Sequence, residues 1–91
     1  MTKDHFINWL EDTTKLAKYS IRRYAGAIET LSEELRDYGI NERDLYNVTD
    51  MNIIDCILNN SLFQEKNNRG NRMYSAALNH FKSYIEHCNS D

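Results

Sequence analysis

Basic side chains are concentrated in two short segments of the chain. The first spans residues 15–23 and contains no acidic residue, and the second spans residues 66–72, opposed only by the neighbouring Glu65. Seven of the eleven Lys and Arg residues fall in these two segments: Lys15, Lys18, Arg22, Arg23, Lys66, Arg69 and Arg72. Clusters of this kind are typical of surfaces that contact the phosphates of a nucleic acid.

Both basic segments are expected at helix starts, where free backbone amides and the positive end of the helix dipole favour anions. Ser20 and Asn71 lie in the same segments and can add hydrogen bonds to a phosphate backbone. The sequence therefore predicts a nucleic-acid contact, and the candidate residues are Lys15, Lys18, Ser20, Arg22, Arg23, Arg69, Asn71 and Arg72.

Acidic side chains favour a different interpretation, a contact with another protein. The chain has 14 Asp and Glu against 11 Lys and Arg, a formal net charge of −3, which is the opposite sign from most nucleic-acid-binding proteins. Four acids follow the first basic segment and form an alternative face for a basic protein partner: Glu29, Glu33, Glu34 and Asp37. The basic segments are also compatible with an ordinary solvated surface.

Residues for catalysis, metal binding or cofactor binding are not arranged in any known pattern. His5, His80 and His87 are scattered, Gly70 stands alone rather than in a phosphate-binding loop, and Cys88 has no zinc-type spacing to a partner. No nucleophile, base and orienting group occur together. We therefore expect a non-enzyme with no cofactor and no metal.

Length and composition restrict the fold. The chain has 91 residues, the size of one small domain, so residues 1–91 are expected to form a single unit. The absence of Pro and the presence of only three Gly disfavour turn-rich β architectures. No apolar run approaches the roughly 18 residues that span a bilayer, so we expect no membrane contact and a cytoplasmic location.

Apolar residues recur every three or four positions, which predicts an all-α fold. The expected architecture is a compact bundle of four to five short helices. The predicted helices cover about residues 3–17, 21–38, 50–59 and 72–88, with a short turn at 41–46 and an exposed polar loop at 64–71.

Polar residues and one glycine mark the expected helix boundaries. Short polar side chains accept hydrogen bonds from the free amides of a first turn, and a glycine adopts the left-handed conformation that ends a helix. The predicted N-caps are Ser20, Asn41, Thr49 or Asp50, and Asn71, and the predicted terminating glycine is Gly39.

Four residues are expected in the interior on the basis of their neighbours. Trp9 is predicted to anchor the first helix against the second and the last. Cys56 lies among isoleucines and is predicted to be a buried reduced thiol, and Leu62 and Phe63 are predicted to return to the core.

Two stretches of the sequence resemble a known family. The first is Phe6, Trp9, Leu10, Ser20, Tyr24, Ile28 and Leu31; the second is the run Gly70-Asn71-Arg72-Met73-Tyr74-Ser75-Ala76-Ala77-Leu78-Asn79-His80-Phe81. Together they resemble the SAM-like core-binding domain of tyrosine recombinases, the phage integrases. The last helix is also similar to small N-terminal helical domains of restriction endonucleases and related defence proteins. The resemblance covers nearly the whole chain as a pattern of apolar positions.

The resemblance implies a SAM-like fold and a contact with duplex DNA through the starts of the second and fourth helices. Lys18, Ser20, Arg22 and Arg23 would supply the first contact, and Arg69, Asn71 and Arg72 the second. The chain lacks the catalytic domain of that family. The sequence thus favours a DNA-binding module, with a small regulator or phage-encoded inhibitor that docks on a larger nucleic-acid enzyme as the alternative. A homodimer is a third interpretation.

Overall fold

The computed structural model describes residues 2–89, which form five α-helices and two short 3-10 helices and contain no strand. The helices are α1 (Lys3–Thr13), α2 (Lys18–Glu33), α3 (Met51–Leu58), α4 (Ser61–Arg69) and α5 (Met73–Asn89). The 3-10 helices cover Leu35–Tyr38 and Leu45–Asn47. The prediction of a small all-α bundle is confirmed.

The core lies between α1, α2 and α5, and aromatic rings fill its centre. Phe6 of α1 meets Phe81 of α5 edge to face, with ring centroids 5.3 Å apart, and both side chains are fully buried. Tyr46 packs on Phe81 at 5.5 Å and donates a 2.9 Å hydrogen bond from its hydroxyl to the carbonyl of Ala25 on α2. The aromatic cluster therefore fixes α5 against α2.

Trp9 connects α1 to the last helix from the edge of this core. Its ring lies 5.4 Å from that of Tyr84 and 6.0 Å from that of His87, both on α5. The side chain is half-buried and packs against the core cluster. The predicted contact of Trp9 with the last helix is confirmed.

The first helix is shorter than predicted, and the second begins earlier. The hydroxyls of Thr13 and Thr14 each donate a 2.6 Å hydrogen bond to the carbonyl four residues earlier, and Thr14 adopts an extended conformation that ends α1. Ala17, also extended, immediately precedes α2, and its carbonyl accepts the first helical bond, from the amide of Ile21 at 3.1 Å. Ser20 therefore lies inside the first turn, so its predicted role as N-cap is wrong.

The second helix also ends earlier than residue 38. The amide of Glu34 bonds to the carbonyl of Leu31 at 3.0 Å, an i to i−3 step that tightens the chain into the first 3-10 helix. Gly39 then takes the left-handed conformation with φ 75°, and the amide of Ile40 returns to the carbonyl of Leu35 at 3.0 Å. Gly39 thus ends a helical segment as predicted, but this segment is the 3-10 helix Leu35–Tyr38 and not α2 itself.

Asp side chains cap the two elements that follow. Asp44, not Asn41, accepts the amide of Tyr46 at 3.0 Å, and Asp50 accepts the amide of Asn52 at 2.9 Å at the start of α3. The choice of Asp50 as one of two possible caps is confirmed, and that of Asn41 is wrong.

Helix α3 buries only one side. Ile54 and Ile57 are fully buried, whereas Cys56, which lies between them in the sequence, is exposed. The prediction of a buried Cys56 is wrong because the helical period turns this position away from the core.

Residues 64–71, predicted as a loop, are largely helical. Asn60 caps α4 by accepting the amides of Leu62 and Phe63 at 3.0 and 3.3 Å. Phe63 is buried as predicted, but Leu62 is 56% exposed. Lys66 then connects this polar helix, through a 2.7 Å ion pair, to Glu34, the residue between α2 and the first 3-10 helix. Tertiary contacts, rather than an apolar period, therefore hold α4 in place.

None of the helices within residues 2–89 combines the length and the hydropathy that crossing a membrane requires.

Candidate nucleic-acid interface

The first turn of α2 and the turn before α5 meet at one surface cleft of about 230 Å³. Ser20 and Arg23 line it from α2, and Asn71 and Arg72 line it from the turn. Its lining contains no acidic side chain. Small-molecule pockets usually enclose about 300–1,000 Å³, so the cleft is smaller than a usual small-molecule pocket.

Packing between α2 and α5 brings these distant segments together. Among all pairs of elements within residues 2–89, α2 and α5 pack against each other most extensively. Next to the cleft, the rings of Tyr24 and His80 lie 5.2 Å apart across the two helices. Burial of His80 lowers its pKa below the usual value, which favours the neutral ring in this contact.

The start of α2 differs from the other α-helix starts because it has no side-chain cap. The starts of α1, α3 and α4 are capped by Thr2, Asp50 and Asn60, and the Asn67 side chain accepts an amide at the start of α5. The first turn of α2 also contains no acid. No side chain of the described residues therefore caps its leading amides, which leaves them without a capping acceptor in the turn that contains Ser20.

The turn before α5 has an unusual backbone. Asn71 and Arg72 both have positive φ, 55° and 63°, a region that non-glycine residues seldom occupy. The amide of Arg72 bonds to the carbonyl of Asn67 at 2.8 Å, and the amide of Ser75 bonds to the Asn67 side chain at 2.9 Å. Asn67 therefore stabilises the turn through both its backbone carbonyl and its side-chain oxygen.

Asn71 does not cap α5 as predicted, because the chain passes through the left-handed region at residues 71–72 before the helix begins. The first helical bond runs from the amide of Ala76 to the carbonyl of Arg72 at 3.2 Å. A Cβ at Gly70 would lie 3.0 Å from the ring of Tyr74, a tight contact that a shift of this ring would have to relieve. The turn thus places the Asn71 and Arg72 side chains at the cleft.

All six predicted cations are exposed, and none forms an ion pair within residues 2–89; they are Lys15, Lys18, Arg22, Arg23, Arg69 and Arg72. The described ion pairs use other cations instead: Lys3 with Glu29, Lys66 with Glu34, and Lys82 with Asp55. The basic segments therefore keep most of their positive charge available to a partner.

The structure does not bring every predicted residue into the cleft. Lys15 lies in the connection between α1 and α2, and Lys18 and Arg22 are on the exposed side of the first turns of α2. Arg69 lines a separate depression that also contains Glu34 and Asp37. The cleft is thus the centre of a wider basic surface, and Arg69 lies towards acidic residues.

Two of the four acids proposed as a protein-contact face are occupied by intramolecular partners. Glu29 pairs with Lys3 at 2.7 Å, and Glu34 both pairs with Lys66 and accepts the Tyr38 hydroxyl at 2.8 Å. The hydrogen bond to Glu34 raises the pKa of Lys66 and keeps it charged. Glu33 and Asp37 are exposed.

Three further residues belong to the site and were not predicted from the sequence. Tyr24 lines the cleft, although the helical pattern placed it with the apolar stripe. Asn67 shapes the turn, and Tyr19 packs beside Arg23, whose guanidinium carbon lies 5.7 Å from the ring centroid. An aromatic residue inside a basic segment was the one signal available for Tyr19.

Comparison with protein-family models, with curated proteins and with solved structures gives no match in any of the three cases. Within residues 2–89, no three His, Cys, Asp or Glu side chains are grouped as the ligands of a metal would be.

Proposed function

We propose that the protein is a non-catalytic DNA-binding module that contacts the backbone of duplex DNA. The contact surface, which we call the basic surface, consists of the cleft and the exposed cations around the start of α2: Lys15, Lys18, Ser20, Arg22, Arg23, Asn71 and Arg72. The observation that carries the proposal is that two basic segments, residues 15–23 and 66–72, meet at one cleft whose lining contains no acidic side chain.

The electrostatics of the basic surface support this proposal despite the net charge of −3. The cations around the cleft have no acidic partners within residues 2–89, so a phosphate backbone would not have to break ion pairs in order to bind. The uncapped amides of α2 add a positive partial charge at the same end of the molecule. Local charge, rather than net charge, decides the interaction at separations below the Debye length.

The alternative, a regulator that docks on a nucleic-acid enzyme through the acidic face, has less support. Two of its four carboxylates are already paired with lysines of this chain, which leaves Glu33 and Asp37.

We place the protein in the cytoplasm, since its two thiols, Cys56 and Cys88, are unpaired, as is usual in a reducing compartment.

Salt-dependent binding to labelled duplex DNA tests the proposed function. Fluorescence anisotropy is measured at about 50 and about 200 mM salt, where each phosphate contact contributes about −0.9 to the slope of log K against log salt. With about five contacts, the fourfold rise in salt is expected to weaken binding about 500-fold.

A matched pair of charge reversals locates the contact. Arg22→Glu with Arg72→Glu is expected to abolish binding at low salt. Arg36→Glu with Arg43→Glu makes the same change in net charge at exposed positions outside the basic surface and is expected to leave most of the affinity. Far-UV circular dichroism checks that both double variants remain helical.

Two results would contradict the proposal. Flat anisotropy at micromolar protein in low salt would remove DNA as a ligand and direct the search to a protein partner of the acidic face. Equal losses in the two double variants would show that binding depends on net charge and not on the basic surface.

A further inference from the structure

Tyr19 is the most exposed of the large hydrophobic side chains in the described part of the chain. It is 71% exposed, and Leu62, the other large hydrophobic residue of this kind, is 56% exposed. Exposing a tyrosine ring to water forgoes the stabilisation that burying it would give. Tyr19 lies in the first turn of α2, in the middle of the first basic segment of the sequence, whereas Leu62 lies on α4.

The surroundings of Tyr19 are cationic. Lys18 precedes it, Arg22 and Arg23 follow within one turn, and the guanidinium carbon of Arg23 lies 5.7 Å from the ring centroid. Arg23 also lines the cleft, so the ring lies next to the point where we place the DNA backbone. Arg23 does not cover the whole ring, because Tyr19 remains largely exposed to solvent.

An exposed aromatic ring beside cations that bind a backbone is suited to stacking with a nucleobase. Every base has a π-face, and base–aromatic stacking adds affinity without requiring a particular sequence. Inside a duplex the faces of the bases are already covered by their neighbours, so along the length of the duplex only an unpaired or extruded base can pack on the ring. The ring therefore adds affinity for unpaired DNA rather than for an intact duplex.

We propose that Tyr19 is a stacking platform for an unpaired base of a DNA strand whose phosphates lie on the basic surface. This inference rests on the proposed function and makes it more specific. The preferred ligand is a duplex that continues into a single strand, with the duplex backbone at the cleft and the first unpaired base on Tyr19.

Three DNA probes test the preference, each measured by fluorescence anisotropy at the same low salt. They are a blunt duplex, the same duplex with a short single-stranded extension, and the extended duplex with 2-aminopurine as its first unpaired base. The extended duplex is expected to bind about tenfold more tightly than the blunt one, within the range measured for stacking of one base. The fluorescence of 2-aminopurine is expected to be quenched on binding.

Three variants separate the ring from the fold. Tyr19→Ala is expected to lose the tenfold preference and the quenching, whereas Tyr19→Phe, which keeps the π-face, is expected to retain both. Leu62→Ala removes the other exposed hydrophobic side chain and is expected to retain both as well. Because Tyr19 is largely exposed, its removal leaves the core intact, and thermal unfolding checks this.

The outcomes distinguish this inference from the proposed function. Equal affinity of the Tyr19→Ala variant and the parent protein for the extended duplex would overturn the inference. If salt-dependent binding to the blunt duplex persisted in that case, the proposed function would stand. Absence of binding to every probe would overturn both.

Discussion

Replacement of Arg72 by glycine is expected to stabilise the fold and to weaken DNA binding at the same time. Arg72 has φ 63°, and the left-handed region costs a residue with a Cβ roughly 1–2 kcal/mol. Glycine avoids this cost, but it also makes the unfolded chain more flexible, which lowers the stability of the folded state by about 0.4–1 kcal/mol. The net expectation is an increase of about 0.5–1 kcal/mol in the free energy of unfolding.

The side chain itself adds little to this sum. Arg72 is exposed and has no ion pair within residues 2–89, and exposed substitutions of this kind change stability by less than about 0.5 kcal/mol. The backbone bonds of Arg72 to Asn67 and Ala76 remain available to a glycine. For a chain of this size, the gain corresponds to a rise of about 3–6 °C in Tm.

Two control variants isolate the backbone term. Arg72→Ala removes the same charge but keeps the Cβ, so its Tm is expected to match that of the parent protein. Arg22→Gly makes the same substitution inside α2, where glycine is expected to cost about 1 kcal/mol. Urea unfolding and thermal unfolding of the three variants measure these differences.

DNA binding is expected to follow charge and not stability. Arg72→Gly and Arg72→Ala are each expected to weaken binding to duplex DNA by the same factor and to reduce the salt slope by about one. A lower stability for Arg72→Gly than for Arg72→Ala would refute the argument from backbone strain. An unchanged salt slope in both variants would remove Arg72 from the DNA contact.

Two further predictions test the packing. Phe63→Ala is expected to lower the free energy of unfolding by about 3–4 kcal/mol, because it leaves a cavity where the buried side chain of α4 packs. Leu62→Ala removes an exposed side chain and should change the free energy of unfolding by less than about 0.5 kcal/mol. Similar values for the two variants in urea titrations would refute the conclusion that residues 61–69 form a helix docked through Phe63. Burial raises the pKa of Tyr84 to about 12, so above its ordinary value of 10.0 the unfolded state releases a proton that the folded state keeps. Tyr84 is therefore expected to lower the free energy of unfolding by up to about 1.4 kcal/mol per pH unit between these two pH values, and Tyr84→Phe should reduce the measured slope by that amount. Burial also raises the pKa values of Tyr38 and Tyr46, so these two residues add to the slope and keep part of it in the variant.

The amphipathic helices could be predicted from the sequence because their apolar period is local. Ile21, Ile28 and Leu31 recur along α2 at helical spacing, and all three are buried. Gly39 could be predicted for the same reason, since a glycine after an apolar stripe is a local signal of a helix end. Elements that carry their own apolar stripe are therefore recovered from the sequence.

Helix α4 could not be predicted because its stabilising contacts are distant in the sequence. Lys66 pairs with Glu34, 32 residues away, and the helix has a single buried apolar side chain, Phe63. Taken alone, residues 64–71 have the composition of a loop. Tertiary contacts override local propensity in this segment.

The candidate site was predictable as two basic segments but not as one surface. Lys18 and Arg22 stand out in the sequence because no acid interrupts them. The meeting of Arg23 with Arg72 depends on the packing of α5 along α2 and on the left-handed conformation of Arg72, and neither follows from a local sequence pattern. The predicted cap at Ser20 was wrong for the same reason, since the preceding connection decides where α2 begins.

Three departures from a locally optimal chain occur around the same cleft. Ala17 leaves the start of α2 without a side-chain cap, Arg72 occupies the left-handed region, and Tyr19 exposes its ring. Each is unfavourable for folding, whereas the starts of α1, α3, α4 and α5 have side-chain acceptors. Two further departures lie away from the cleft: Leu62 is exposed on α4, and the indole N–H of Trp9 is buried without a hydrogen-bond partner. Departures of this kind persist where a site needs them. In the proposed contact, the uncapped amides of α2 would meet one phosphate and Arg72 would meet a neighbouring phosphate. The exposed ring of Tyr19 would meet a base. The features that lower stability are therefore the same ones that the proposed nucleic-acid contact would use.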